Sequence, residues 1–165
     1  MANMFSADEV FSVGVQIEKN GRAFYTAAAA KSEDSQMKKL FTELADWESN
    51  HIEFFEHLRA TLPADLKQEI EYDPDNLIHL YLKSVADNLV FKSENNDIDS
   101  CETPFDIMKK ALEFERETVI VYSSMKEIVP DSLGKTEIDK LINEELKHIG
   151  QLTKEIAKFK SKYYR

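Results

Sequence analysis

Glu48-Ser49-Asn50-His51 and Glu145-Leu146-Lys147-His148 are one pattern, Glu-x-x-His, written twice 97 residues apart. A lone glutamate stands 30 residues before each copy, Glu18 before the first and Glu115 before the second. Tyr25 and Tyr122 follow those glutamates by seven residues each. Apolar positions keep the same offset: Val10 with Ile107, Phe11 with Met108, Leu44 with Leu141. An internal duplication that builds a pseudo-two-fold bundle is the simplest origin.

The spacing has a physical use. Residues three and four apart lie on one face of a helix. One turn therefore sets a Glu oxygen and a His nitrogen against the same side of one centre. A glutamate from each companion helix completes a shell of four carboxylates and two imidazoles, enough for two metal ions. Oxygen-rich ligation with one imidazole per metal suits iron or manganese better than soft metals.

The chain has 19 glutamates, so the choice of four needs a test. Around Glu115 the helical neighbours are Ala111, Leu112, Thr118 and Val119, a buried face. Around Glu113 they are Lys109, Lys110, Arg116 and Glu117, a solvated one. Glu48 stands among Leu44, Ala45, His51 and Ile52, and Glu145 among Leu141, Ile142, His148 and Ile149. Glu18 has the least apolar set, Gly14, Val15, Gly21 and Arg22. Buried carboxylates without partners cost several kcal/mol each, so something must neutralise them. Arg22 is the one nearby cation in the sequence. Two divalent metals balance four carboxylates; without metal, mutual repulsion makes some of the acids hold protons.

The elements follow from caps and periodicity. Ser6-Ala7-Asp8-Glu9 is a capping box, and apolar or small residues recur at Phe11, Gly14, Val15, Ala23 and Tyr25 up to about Ala30. A second helix starts at Asp34 or Ser35, carries Leu40, Phe41, Leu44, Ile52, Phe55 and Leu58, and stops before Pro63. Thr103-Pro104 opens a third, with Pro at the first helical position, and Pro130 closes it. A fourth begins near Lys135, with the stripe Ile138, Leu141, Ile142, Ile149, Leu152 and Ile156. The hairpins, about 6–61 and 103–162, are joined by residues 62–102, too long for an ordinary connection. Within it Leu77, Ile78, Tyr81, Val85 and Leu89 form an amphipathic pattern, a further helix, and Ser93 to Ser100 reads as loop. The prediction is all-α: an antiparallel four-helix bundle with one long crossover containing an extra helix, in a single domain over 1–165.

Bulk numbers agree with that class. The 165 residues suit one domain with a full core, and only 4 Gly and 4 Pro favour long helices. The net charge of −10 makes nucleic acid and anionic membrane poor partners. Cys101 is the one cysteine, so neither an internal disulfide nor a cysteine-ligated zinc or iron knuckle is expected. No signal-peptide pattern opens the chain and no apolar run is long enough for a bilayer, which predicts a cytoplasmic protein.

Tyr25 and Tyr122 lie two turns, about 10 Å, beyond their glutamates, with rings leaning back toward them. Each hydroxyl could bond a carboxylate on a facing helix, or both could be plain core tyrosines; the spacing does not choose. His57 and His79 lack an acid at the right spacing and read as surface or core histidines. Trp47 and Phe54-Phe55 read as packing residues, and Cys101 as a loop residue without chemistry.

On Glu18 with Tyr25, Glu48 and His51, Glu115 with Tyr122, and Glu145 and His148, the chain resembles the rubrerythrin-like branch of the ferritin-like di-iron proteins. The resemblance implies two iron ions, with manganese or zinc as substitutes. Glu48 and Glu145 would bridge them, Glu18 and Glu115 would be terminal ligands, and His51 and His148 would take one iron each. It further implies an oxidoreductase that reacts with hydrogen peroxide or dioxygen, with a part in oxidative stress. Electrons would come from an external donor such as a rubredoxin-like protein, and the chain would be a homodimer. Three departures stand out. The chain lacks the cysteines of the rubredoxin module, Thr118 replaces an additional glutamate of rubrerythrins, and Ser49 stands where the bacterioferritins, which share the six-ligand set, carry their haem-binding Met. No haem is expected. The alternatives are a ferroxidase that stores or delivers iron and a non-catalytic, metal-stabilised helical interaction module.

Overall fold

A computed structural model describes residues 6–64, 77–85, 97–129, 132 and 134–163. Five α-helices make up the described chain: α1 (Ala7–Lys31), α2 (Ser35–Thr61), α3 (Leu77–Val85), α4 (Pro104–Ile128) and α5 (Lys135–Tyr163). The ends match the caps written in the sequence. Ser6 Oγ accepts from the Glu9 amide at 3.2 Å while Glu9 Oε2 accepts from the Ser6 amide at 2.7 Å, which satisfies two donors the first turn leaves open. Asp34 Oδ1 caps α2 by accepting from the amides of Gln36 and Met37, each at 2.9 Å. Thr103 and Asp106 form a second capping box, with Pro104 at the start of α4. Before α5 stands Gly134 with φ 110, a left-handed conformation open to glycine.

Register gives the topology. Along α1 and α2, Arg59 pairs with Asp8 at one end and Tyr25 stacks on Phe41 toward the other, so the two run antiparallel. Lys126 pairs with Asp139 and Phe105 stacks on Phe159, so α4 and α5 do the same. Tyr25 of α1 meets Glu115 of α4, and Tyr122 of α4 meets Glu18 of α1, which makes those two helices antiparallel as well. Hence α2 and α4 point the same way. The chain must travel from the Asp8–Arg59 end of the bundle to the opposite end, where Lys31 Nζ donates to the carbonyls of Ile98 and Cys101 at 3.0 and 2.7 Å. A helix of 25 residues is about 37 Å long, which is why this crossover is long.

The core lies in two apolar halves. One gathers Val10, Phe11, Phe55, Tyr122, Met125 and Ile138; the other gathers Tyr25, Phe41, Leu44, Met108, Ala111 and Leu152. Between them sits a layer of buried acids and imidazoles. Each fully buried Phe or Leu contributes about 1.5–3 kcal/mol, so the two halves can support an expensive polar layer.

Three details differ from the sequence expectation. Ala23 is exposed and Phe24 is buried instead, because the stripe on α1 turns with the 3.6-residue period. Asp97–Ser100 form a short 3-10 helix rather than plain loop, since Ile98 inserts into the second core half. Cys101 is outside the helices, as expected, yet buried in that same half. The expected helix at Leu77 is present as α3, with Leu82 and Val85 in the core. Leu89, the stretch 93–96 and the side chain of His79 lie outside the described residues.

Candidate metal centre

The repeated residues converge. Glu18 comes from α1, Glu48 and His51 from α2, Glu115 from α4, and Glu145 and His148 from α5. Every one of these side chains is buried, with relative exposures between 0% and 4%. They make two groups. Glu18, Glu48, His51 and Glu145 each offer an atom within 4.8 Å of the others, and so do Glu115, Glu145 and His148. Glu145 belongs to both. Its Oε1 lies 2.9 Å from His51 Nδ1 and its Oε2 lies 2.9 Å from His148 Nδ1. Glu18 Oε2 is 3.4 Å from His51 Nδ1, and Glu115 Oε1 is 3.7 Å from His148 Nδ1. The imidazoles stack with ring centres 5.9 Å apart. Glu48, expected to span the pair, stands in the first group alone.

Both tyrosines reach across the bundle. The hydroxyl of Tyr25 donates to Glu115 Oε1 and that of Tyr122 donates to Glu18 Oε1. Each orients the carboxylate of the other repeat and leaves its second oxygen free. Around them, Tyr25 stacks on Phe41 and meets Phe114 edge-on, and Phe55 packs edge-on against Tyr122. These rings close the layer above and below and keep water out.

The electrostatics are those of buried acids that outnumber the cations beside them. Burial raises Glu18 and Glu48 well above the ordinary carboxylate range, and the charges on neighbouring acids add to the rise. Burial likewise raises Glu115 to about 8, against the pull of His148. Burial disfavours the imidazolium of His51, but its hydrogen bond to Glu145 prevails and lifts it to about 9. His148 rises to about 10 by the same contest, with Glu115 and Glu145 as its partners. Glu145 is buried too, yet the two histidines hold it below its usual range. Arg22, the one cation expected nearby, is exposed. Among the described residues the cations paired with these acids are the two histidines alone.

A divalent pair fits this donor set. Three buried carboxylate oxygens have no hydrogen-bond partner, Glu18 Oε2, Glu48 Oε1 and Glu115 Oε2, while His51 Nδ1 and Glu145 Oε1 have only each other's close approach at 2.9 Å. Each belongs to a metal-competent residue, and buried polar atoms are rarely left unpaired. Oxygen and imidazole donors in this ratio match hard to borderline cations.

Three participants escaped the sequence reading. Gly21 lies one turn beyond Glu18, where a Cβ would stand 3.0 Å from the carboxyl carbon of Glu48 and 2.8 Å from Phe114 Cε1. Glu144 Oε2 sits 3.0 Å from His51 Nε2, on the side away from the other acids. Trp47, expected in the packing, is 43% exposed, with its ring centre 6.0 Å from that of His148. For Glu144 and Trp47 the signal was the duplication itself, since positions 47 and 144 also differ by 97. Thr118, in the duplicate place of Gly21, is buried and donates to the Phe114 carbonyl. His57 is exposed, as expected.

Four helices wired by a long crossover around a buried layer of four glutamates and two histidines define the ferritin-like class. Across 95% of its length this chain matches 98% of a Thermotoga maritima crystal structure, named for a ferritin-like diiron-carboxylate protein, with a TM-score of 0.68 and 20% identity. The rubrerythrin family model matches residues 9–90, a span that holds Glu18, Glu48 and His51. The chain is similar to the rubrerythrins over that span and shares the fold of the ferritin-like diiron-carboxylate structure. No curated protein matches it. No described helix is long and apolar enough to cross a membrane.

Proposed function

We propose that the protein is a di-iron oxidoreductase that reacts with hydrogen peroxide or dioxygen, with electrons from a separate donor protein. One observation carries the reading: Glu145 offers one oxygen toward each histidine, so the cluster has places for two ions rather than one. Glu18, Glu48 and His51 would hold one ion, Glu115 and His148 the other, and Glu145 both. Iron, when bound, supplies Lewis acidity and a two-electron change shared between two centres. Manganese or zinc would fit the same donors, and no residue at Ser49 invites haem.

The protein's own contribution is orientation and exclusion. Tyr25 and Tyr122 fix Glu115 and Glu18, and Tyr25 keeps a proton at its phenol oxygen, since burial and the adjacent Glu115 charge raise it well above its usual range. The aromatic walls keep bulk water from the acids.

The test is loading with Fe(II) under exclusion of air, then addition of peroxide or of dioxygen, followed by iron absorbance. Glu115→Ala should abolish oxidant-driven turnover; turnover at the wild-type rate in that variant overturns the proposal. Thr118 favours a second reading. Its hydroxyl is engaged by a backbone carbonyl, so it adds no seventh ligand, and the symmetric six-ligand set suits iron oxidation followed by storage or delivery. A sizing column separates the two: a large mineralising shell supports iron handling, and a homodimer supports the oxidoreductase.

A further inference from the structure

The duplication is exact in its ligands and broken one place away from them. Position 144 follows position 47 by the same 97 residues, and each lies beside the imidazole of the opposite repeat. Glu144 meets His51, and Trp47 meets His148. A carboxylate in one half is therefore replaced by an indole in the other.

The difference reaches the ligand atom. His51 turns Nδ1 toward Glu18 and Glu145, and turns Nε2 toward Glu144 at 3.0 Å. Once a metal displaces the second proton of the imidazole, an Nε2–H donated to Glu144 leaves the lone pair of His51 on Nδ1, facing Glu18 Oε2 and Glu145 Oε1. A carboxylate at Nε2 also makes the imidazole a better donor and fixes the ring's rotation. Among the described residues, His148 meets acids through Nδ1 alone. Its neighbour Trp47 offers an aromatic ring, tilted 55° to the imidazole. An indole ring accepts no strong hydrogen bond, so the tautomer and rotation of His148 are set less tightly.

We propose that Glu144 is a positioning residue for His51, and that the Glu144–Trp47 exchange makes the two halves of the centre unequal, the His51 half taking a divalent metal first and more tightly. The proposal rests on the reading of the cluster as a two-metal site. It concerns only the order and strength of loading, to which the additional carboxylate of Glu48 in the His51 half also contributes; substitution at Glu144 leaves Glu48 in place and so reads the contribution of Glu144 separately.

Glu144 is suited to this task by its place. Its side chain is 35% exposed, so its charge is solvated rather than buried, and it sits next to Glu145 on α5. Being one residue along the helix from an inward ligand, it points about 100° away and reaches His51 from outside. It supports the imidazole without competing for the metal.

The probe is Co(II) alone, titrated into the metal-free protein by calorimetry and by visible absorption. The wild type should take up two ions in two resolved steps. Glu144→Ala should weaken the tighter step about 10–100-fold and leave the other step unchanged. Glu144→Gln keeps the side-chain length and an acceptor oxygen, so its loss should be smaller than that of the Ala variant. Trp47→Glu should strengthen the weaker step and bring the two together. Circular dichroism is the check that each variant keeps its helices. Two equal steps in the wild type, or an unchanged tight step in Glu144→Ala, overturns the inequality while leaving the two-metal site intact. No uptake of Co(II) overturns both.

Discussion

Tyr122 of α4 donates its phenolic proton to Glu18 of α1, and Tyr25 of α1 answers by donating to Glu115 of α4. The bonds cross the bundle in opposite directions. Each ties the carboxylate of one repeat to the tyrosine of the other, so both hairpins must dock before either acid is oriented. Folding of the bundle and assembly of the site are thereby one event.

Tyr122→Phe removes the donor and leaves Glu18 with no fixed rotation. Outer partners of metal ligands are commonly worth 10–100-fold in affinity. The expected result is a loss of about tenfold in Co(II) or Fe(II) affinity by equilibrium dialysis, with the helical circular dichroism retained. Tyr25→Phe should do the same through Glu115.

Metal should stabilise the fold. An ion that binds only the folded state adds about 2.7 kcal/mol at a hundred-fold excess over its Kd. For a chain of this size that is a rise of about 5–10 °C in Tm. Differential scanning calorimetry with and without Mn(II) or Fe(II) reads it directly. Glu145→Gln neutralises the carboxylate that faces both histidines and should abolish the rise.

Metal-free protein should lose stability as the solution becomes alkaline. Glu115 is raised in the fold to about 8, His51 to about 9 and His148 to about 10. A group raised above its unfolded value stabilises the fold fully below that unfolded value, and the benefit fades as pH climbs through the folded one. For Glu115 the fading runs from about 4.5 to 8, and for the histidines from about 6.5 to 9 or 10. Glu145, which is lowered, acts in the opposite sense: its stabilisation is present above about 4.5 and fades only as pH falls below that value. Thermal melts in chelator should therefore fall between pH 6 and pH 9. Bound metal replaces the protons, so the loaded protein should lose less over the same range.

Gly21→Ala tests the space reserved for Glu48. Alanine is the better helix former by roughly 0.5–1 kcal/mol. The added methyl, however, would press on Phe114 at 2.8 Å and on Glu48 at 3.0 Å, and overpacking costs about 1–3 kcal/mol. A net loss of about 1 kcal/mol in urea unfolding is expected, with weaker metal binding. An unchanged affinity would show that Glu48 can move aside freely.

Helix boundaries, the buried cluster of four glutamates and two histidines, and the long crossover were legible in the chain because each rests on local chemistry. A cap is read within four residues, as at Ser6 and Glu9. Glu115 could be told from Glu113 because a helix fixes which residues share a face, and the fold buries the first and exposes the second. Trp47 and Glu144 could not be read in this way. Both lie at the edge of the apolar stripe, where one sequence pattern serves a surface side chain and a ligand's partner equally well.

The linear order of residues by itself determined that four helices would form, that two of them would carry Glu-x-x-His turns inward, and that buried acids would outnumber the cations near them. Periodicity, capping and the 97-residue repeat are sufficient for that, since all act along the chain. Only the tertiary structure decided which oxygen faces which nitrogen: that Glu145 serves both histidines, that each tyrosine bonds the opposite repeat, and that Glu144 and Trp47 make the halves unlike. Those relations depend on the rotation and stagger of helices packed against one another. A shift of a few ångströms between helices would re-pair them without changing a residue, so no pattern confined to one helix can encode them.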